Sequence, residues 1–420
     1  MEEQHYDDFV RRNRRWNFFA NTGDLSAVNL ARAFIFTTTI LPLYVSYLTS
    51  SKVMIGFVPA VLEVGFLLPQ LFFARKTETL DRMKPFVVKI SIFERVPYLV
   101  IALSILLWPD SPPWFAYTML LLGIAVASGS GGIATPAWKT MLGKIIHHDS
   151  RGLLFALGSG IGGFLGIGGA LIARRLLVIY PYPISFAWCF GLAFAGQAVS
   201  WIFLTLNREP PKAMNPTHSG LFDYARQLPP VLRSDTNFSR YLLGQLFMIF
   251  GTMAATFYVL FGKSKFGIDD EFAATLTMIA LLGQSAGTPL VGWLSDRLGH
   301  KLMGEAGAWM NIAALIVLLV APSPGWLAAT FILMNLGRTA LLISRMSITM
   351  EFSSIEKLPT YTALTGTLLA IPTFFAPVFG GWGIDIFGYR ATFIIAIAFS
   401  LVGFVISRRG VTDPRVDGSR

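Results

Sequence analysis

Asp24, Arg32, Glu63, Glu94, Arg95, Asn335, Arg338 and Arg345 lie inside stretches of sequence that are otherwise apolar. A carboxylate in such a setting can take up and release a proton, and a guanidinium can hold an anion. An ionisable group at bilayer depth costs about 2.5–3.5 kcal/mol on insertion scales, so each is expected to face a partner, a cavity or a solute. Spacing narrows the choice. On a continuous helix Asn21, Asp24, Arg32 and Thr39 fall within an arc of about 80°. Asn335, Arg338, Arg345 and Thr349 do the same on a second helix. Arg338 is near the middle of its segment, with no acidic residue at matching depth in the helices of that half. It is the first candidate for a solute-binding cation, with Glu63 or Glu94 as alternative partners. Arg32 and Glu63 come at similar depth and could pair, either as a static tie or on the solute or proton path. Glu94 and Arg95 are neighbours on a helix and point about 100° apart. Either one faces a cavity and the other an adjacent helix, or the two form a pair that ties their helix into its bundle. Glu63, Glu94 and Asp24 are the acids that could carry a coupled proton.

The elements that must position these residues are membrane helices. Of the 420 residues, 54% are hydrophobic and only 14% charged, with a mean hydropathy of +0.58. Soluble domains carry about 25% charged residues. Apolar runs of about 20 residues, the length that crosses the hydrocarbon core, recur along the chain. We expect twelve, at approximately 17–47, 53–74, 86–108, 114–138, 152–178, 184–206, 237–262, 271–295, 302–321, 325–349, 359–384 and 389–407. The fold class is therefore an all-α membrane protein of twelve transmembrane helices in two six-helix bundles. An even number puts both termini on one side, and Arg11, Arg12, Arg14 and Arg15 place that side in the cytoplasm. Most of the 34 Lys and Arg fall in loops on the same side, which accounts for the net charge of +10 without nucleic acid. Residues 207–236 are polar and proline-rich and cannot form one helix. The expected organisation is thus a bundle at 1–206, a cytoplasmic linker at 207–236 and a bundle at 237–420. Leu221 to Leu228 could form a short surface helix. The halves repeat weakly: Pro42-Leu-Tyr44-Val45 parallels Phe257-Tyr258-Val259, and Gly168-Gly169 parallels Gly380-Gly381.

One loop carries a motif, Gly292-Trp-Leu-Ser-Asp296-Arg297-Leu-Gly299-His300-Lys301. The glycines would let helices approach and a short loop turn. This stretch resembles the loop signature of the major facilitator superfamily, Gly-x-Leu-(Ser/Ala)-Asp-Arg-x-Gly-x-(Arg/Lys), at each constrained position. The first half's equivalent loop, around Asp81-Arg82-Met-Lys84, lacks the motif. Gly162-x-x-x-Gly166 resembles part of the family's antiporter signature but lacks its proline. The resemblance implies two bundles around a central cavity that rock against each other. It implies solute translocation driven by a gradient, expected to be of protons, with a slight lean to efflux. It also implies a gating role for Gly292, Asp296, Arg297, Gly299 and Lys301. Arg345, with Glu351 nearby, is the expected partner of Asp296 at the inner gate.

No phosphate-binding loop, nucleophile constellation or metal-ligand spacing stands out, and Cys189 is the single cysteine. An enzyme, a cofactor, a metal site and a nucleic-acid partner are not expected. The expected partners are a small-molecule substrate, the lipid bilayer and protons, with the chain a monomer. The expected location is a plasma membrane of the bacterial inner-membrane type, multi-pass, with no leader peptide. The competing class is a membrane sensor or receptor that reuses the fold without transporting.

Overall fold

The structure, a computed structural model, describes residues 2–78, 80–211, 232–352 and 358–414. The expected surface helix at 221–228 lies outside these residues. The described residues are helical, with no strand. In chain order they form α1 (Glu2–Phe34), α2 (Ile40–Leu48), α3 (Lys52–Glu78), α4 (Lys84–Leu107), α5 (Pro113–Ile145), α6 (His148–Ile179) and α7 (Ile184–Thr205). Then follow α8 (Thr236–Gly251), α9 (Tyr258–Phe266), α10 (Asp270–Leu298), α11 (His300–Val320), α12 (Trp326–Glu351) and α13 (Leu358–Val405). Ten stretches among the described residues are long and apolar enough to cross a membrane.

That number and the expected twelve differ for two local reasons. The tenth stretch, Leu364–Gly410, holds two expected segments, because α13 breaks at Gly388, where φ is 77°. The first expected segment is broken between α1 and α2. Thr37, Thr38 and Thr39 are β-branched hydroxyl residues that compete with helix hydrogen bonds. Pro42 has no N–H, and its ring clashes with the carbonyl of Thr38. Thr39 therefore does not share a continuous helical face with Asp24 and Arg32, as the sequence suggested. The matching segment of the second half breaks as well, between α8 and α9. The short helices after the two breaks carry Tyr44 and Tyr258, both fully buried, so the weak repeat has a structural counterpart.

The chain forms two compact units. The first is Met1–Phe36 with Val61–Ser219, and the second is Thr37–Ala60 with Gly220–Arg420. In the first, α1 packs on α6 and α7, and α4 packs on α5 and α7. Glycines set the α1–α6 contact: a Cβ on Gly158 would lie 2.7 Å from Leu25, and one on Gly162 would lie 2.7 Å from Asn29. Small residues let membrane helices approach backbone to backbone. Asn13, Asn17 and Asn21, four residues apart on α1, grip the chain that leaves α7. Asn17 Nδ2 donates to the Arg208 carbonyl at 2.9 Å, and its oxygen accepts from the Arg208 amide at 2.8 Å. Glu209 then caps the start of α4, accepting from the amides of Met83 at 2.9 Å and Lys84 at 2.7 Å. It also pairs with buried Lys144 at 3.6 Å.

In the second unit α11 packs on α12, and α10 packs on α12. Here the crossing depends on two glycines. A Cβ on Gly307 or on Gly337 would come 2.9 Å from the other's carbonyl oxygen. Gly337→Val should therefore destabilise the folded protein by about 1–3 kcal/mol through overpacking, measured as thermal unfolding in detergent. The same substitution at Gly292, which has open space around it, should cost far less. Equal losses at both positions would contradict the packing account.

Candidate functional site

The first unit concentrates its buried charge where α1, α4 and α7 meet. Asp24 comes from α1, Glu94 and Arg95 from α4, and Gln197 and Ser200 from α7. Asp24 and Arg95 are each 5% exposed, and Ser200 is 0% exposed. Ser200 Oγ donates to Asp24 Oδ1 at 2.6 Å and accepts from Arg95 Nη2 at 2.8 Å. The acid and the base are thus joined through one hydroxyl. The other arginine donors are also used. Nε donates to the Gln197 carbonyl at 2.9 Å, and Nη1 donates to the Ser91 carbonyl at 2.9 Å and approaches Glu94 Oε2 at 3.3 Å. Glu94 is the member open to the surroundings, its side chain 26% exposed. Tyr98 lies in the field of Glu94, Arg32 and Arg95, so Arg32 reaches the edge of the group.

This corrects one expectation. Glu94 and Arg95 do aim at the same place. The long arginine side chain turns back along α4 to Ser91, which brings Nη1 to its neighbour's carboxylate. Chemically, the group is a proton-exchangeable carboxylate wired to a fixed cation. A proton arriving on Asp24 removes the charge that Ser200 serves and so changes the load on Arg95. The Gln197 side-chain oxygen is buried and has no hydrogen-bond partner among the described residues. It adds an unused acceptor three residues before Ser200.

None of the hydrogen bonds just described involves the other sequence candidates. Glu63 is half-buried on α3, and Arg32 is exposed on α1. In the second unit Arg338 is exposed on α12. Asn335, buried, spends its side-chain N–H on the Phe331 carbonyl at 2.8 Å and is held within its own helix. Arg345 is half-buried in the field of Tyr241, and its carbonyl accepts from Thr349 at 2.7 Å.

The loop motif between α10 and α11 is built differently from the sequence expectation. Gly299 has φ 100° and does serve the tight turn. Gly292 serves no close approach, since nothing lies within 4 Å of where its Cβ would be. Asp296 is exposed, and Arg297 lies 4.1 Å over the Trp293 ring. The buried polar work falls on His300, Lys301 and Glu351 together with Ser295 and Glu305, which the sequence did not single out. Ser295 Oγ is 2.5 Å from His300 Nδ1, and His300 Nε2 is 3.5 Å from Glu351 Oε1. Lys301 is 3.5 Å from Glu305 Oε1, whose other oxygen is 3.2 Å from Arg408. Ser200, Ser295 and Glu305 were missed for a common reason. Single serines and an acid one turn inside a helix next to a lysine look ordinary until the fold shows them fully buried.

If Arg95 is what neutralises this site, Arg95→Leu leaves Asp24 and Glu94 without their cation and should destabilise the protein by about 3–5 kcal/mol. Thermal unfolding in detergent checks this. Adding Asp24→Asn should recover part of the loss. Additive losses in the double variant would show that the residues do not act as one group.

Residues 241–420 match the sequence model described as Major Facilitator Superfamily. A curated relative, the MFS-type transporter pytF of Aspergillus terreus (strain NIH 2624 / FGSC A1156), is 29% identical over 186 residues, 43% of this chain and 56% of that protein. The chain thus matches little more than half the length of this relative. Among solved structures, a point mutant of the nucleoside transporter NupG aligns with TM-score 0.74 at 11% identity, covering 93% of this chain and 99% of that one. A D-xylose-proton symporter aligns with TM-score 0.72 at 13% identity, covering 95% and 98%. The second half is thus similar in sequence to the major facilitator superfamily, and the chain shares the fold of these solved transporters along nearly its whole length.

Proposed function

We propose that the protein is a secondary active transporter that moves a small solute by alternating access, coupled to protons. The observation that carries this reading is the Asp24–Ser200–Arg95–Glu94 group. Buried charge of this kind is expensive in a membrane and is usually retained for a function. A proton-exchangeable acid joined to a fixed cation is what coupling requires. A D-xylose-proton symporter has a similar fold, which agrees with it. Asp24 is the coupling acid, with Glu94 as its contact with the surroundings and Glu63 as the remaining candidate. Arg338 supplies the charge for an anionic solute. Asp296 and Arg345 form the latch at the inner end, next to the buried Ser295–His300–Glu351 chain. The working bodies are the bundles 1–206 and 237–420, joined by 207–236, in a plasma membrane with both termini in the cytoplasm. Export is the direction that the partial antiporter signature in α6 supports.

The test is proton movement in proteoliposomes of purified protein, with organic anions and amphipathic cations screened against a pH-sensitive dye. We expect a solute-dependent proton flux that is lost in Arg338→Ala. Asp24→Asn should abolish coupling while leaving solute binding. Saturable binding with no flux for any solute would favour the sensor reading. Unchanged pH-driven transport in Asp24→Asn, Glu94→Gln and Glu63→Gln would end the coupling proposal.

A further inference from the structure

Residues 37–60 continue the first unit in sequence at both ends, yet fold as part of the second. What holds them there is specific. The carboxylate of Asp385 on α13 sits at the start of α3. It accepts from the Lys52 amide at 3.0 and 2.9 Å, from the Val53 amide at 3.2 Å and from the Ser51 hydroxyl at 3.3 Å. A helix start has unsatisfied N–H groups and a partial positive charge, so a carboxylate there serves as a cap. This cap comes from a helix more than three hundred residues away. Beside it the backbones come close at two glycines, and the Phe57 and Phe374 rings meet edge to face at 6.1 Å. A Cβ on Gly381 would run into the Lys52 carbonyl oxygen, and one on Gly56 would run into that of Pro377. Two smaller ties finish the contact. Tyr47 donates to Asp270 at 2.7 Å, with Lys263 3.0 Å from the same carboxylate. Thr39 bonds to Thr277.

We infer that Asp385 is a releasable clamp: its carboxylate holds the start of α3 on the second unit, and its release frees residues 37–60. The contrast with Glu209 supports this. Glu209 also caps a helix from a distance, but its side chain is 1% exposed and ion-paired, so water cannot take its place. Asp385 is exposed, and water can replace each bond it makes at small net cost. The clamp rests on the transport reading for its purpose, since a chain that alternates must let this segment go.

The test uses the full-length protein in detergent with no solute, so its result stands whether or not any solute is transported. In a Cys189→Ala background, Thr277→Cys places a thiol at a position that is 0% exposed and covered by Thr39. Labelling by N-ethylmaleimide should be slow in that protein and about tenfold faster when Asp385→Ala is added. Hydrogen exchange at the amides of Lys52 and Val53 should rise with it. If Asp385→Ala does not fold, Asp385→Asn, which keeps one acceptor, should show a smaller rise in both. Unchanged labelling with faster exchange would overturn the clamp, as would no change in either.

Discussion

A guanidinium at bilayer depth cannot leave its donors idle, and Arg95 determines how the first unit is assembled. Arginine offers five N–H donors and no acceptor. Arg95 directs its own to Ser91 on α4, to Gln197 and Ser200 on α7, and to Glu94. Through Ser200 it also reaches Asp24 on α1. One cation therefore fixes three helices around one hydroxyl. The α1–α6 glycine contact and the asparagine grip on the end of α7 hold the frame in which this happens. Hydrogen bonds to charged groups are about twice as strong as neutral ones, and in a low-dielectric surround the cost of losing one partner is correspondingly high.

Much of this was readable from residue types alone. The membrane class, the segment pattern and the inventory of buried charges follow from hydropathy and from the cost of ions in lipid. Asp24, Glu94 and Arg95 were identified as candidates. Which of them meet was not readable, because that depends on side-chain reach and on partners from distant helices. The 100° rule separated Glu94 from Arg95, yet a long flexible side chain overcame it. Helical-wheel reasoning carried Thr39 onto the face of Asp24 because nothing in the wheel registers a broken backbone. Ser200 could not be found from sequence, since a serine in an apolar helix is more often a local hydrogen-bonder to its own backbone. The loop motif located its turn at Gly299 correctly. At Gly292 it implied a close contact that the structure does not make.

Two acidic residues show how one kind of interaction serves two ends. Glu209 and Asp385 each cap a helix that lies far away in sequence. Burial and the Lys144 ion pair make the first a fixed part of the scaffold. Exposure makes the second exchangeable with water. In lipid every helix start needs such a solution, because no solvent is present to satisfy its amides. Where the start lies near the interface, the same cap becomes a place where structure can be released. The second unit follows the first rule as well: Asp235 caps α8 and accepts from Tyr361 at 2.9 Å in a buried setting.

The central claim is that Asp24, tied to Arg95 through Ser200, is the group whose protonation follows the solute. The most direct measurement is proton uptake or release by the purified protein in weakly buffered detergent when a solute that drives flux is added. The account predicts that the wild-type protein exchanges a proton on binding, and that Asp24→Asn binds the same solute with no proton exchanged. Proton exchange of equal size in Asp24→Asn would contradict it and place the coupling elsewhere.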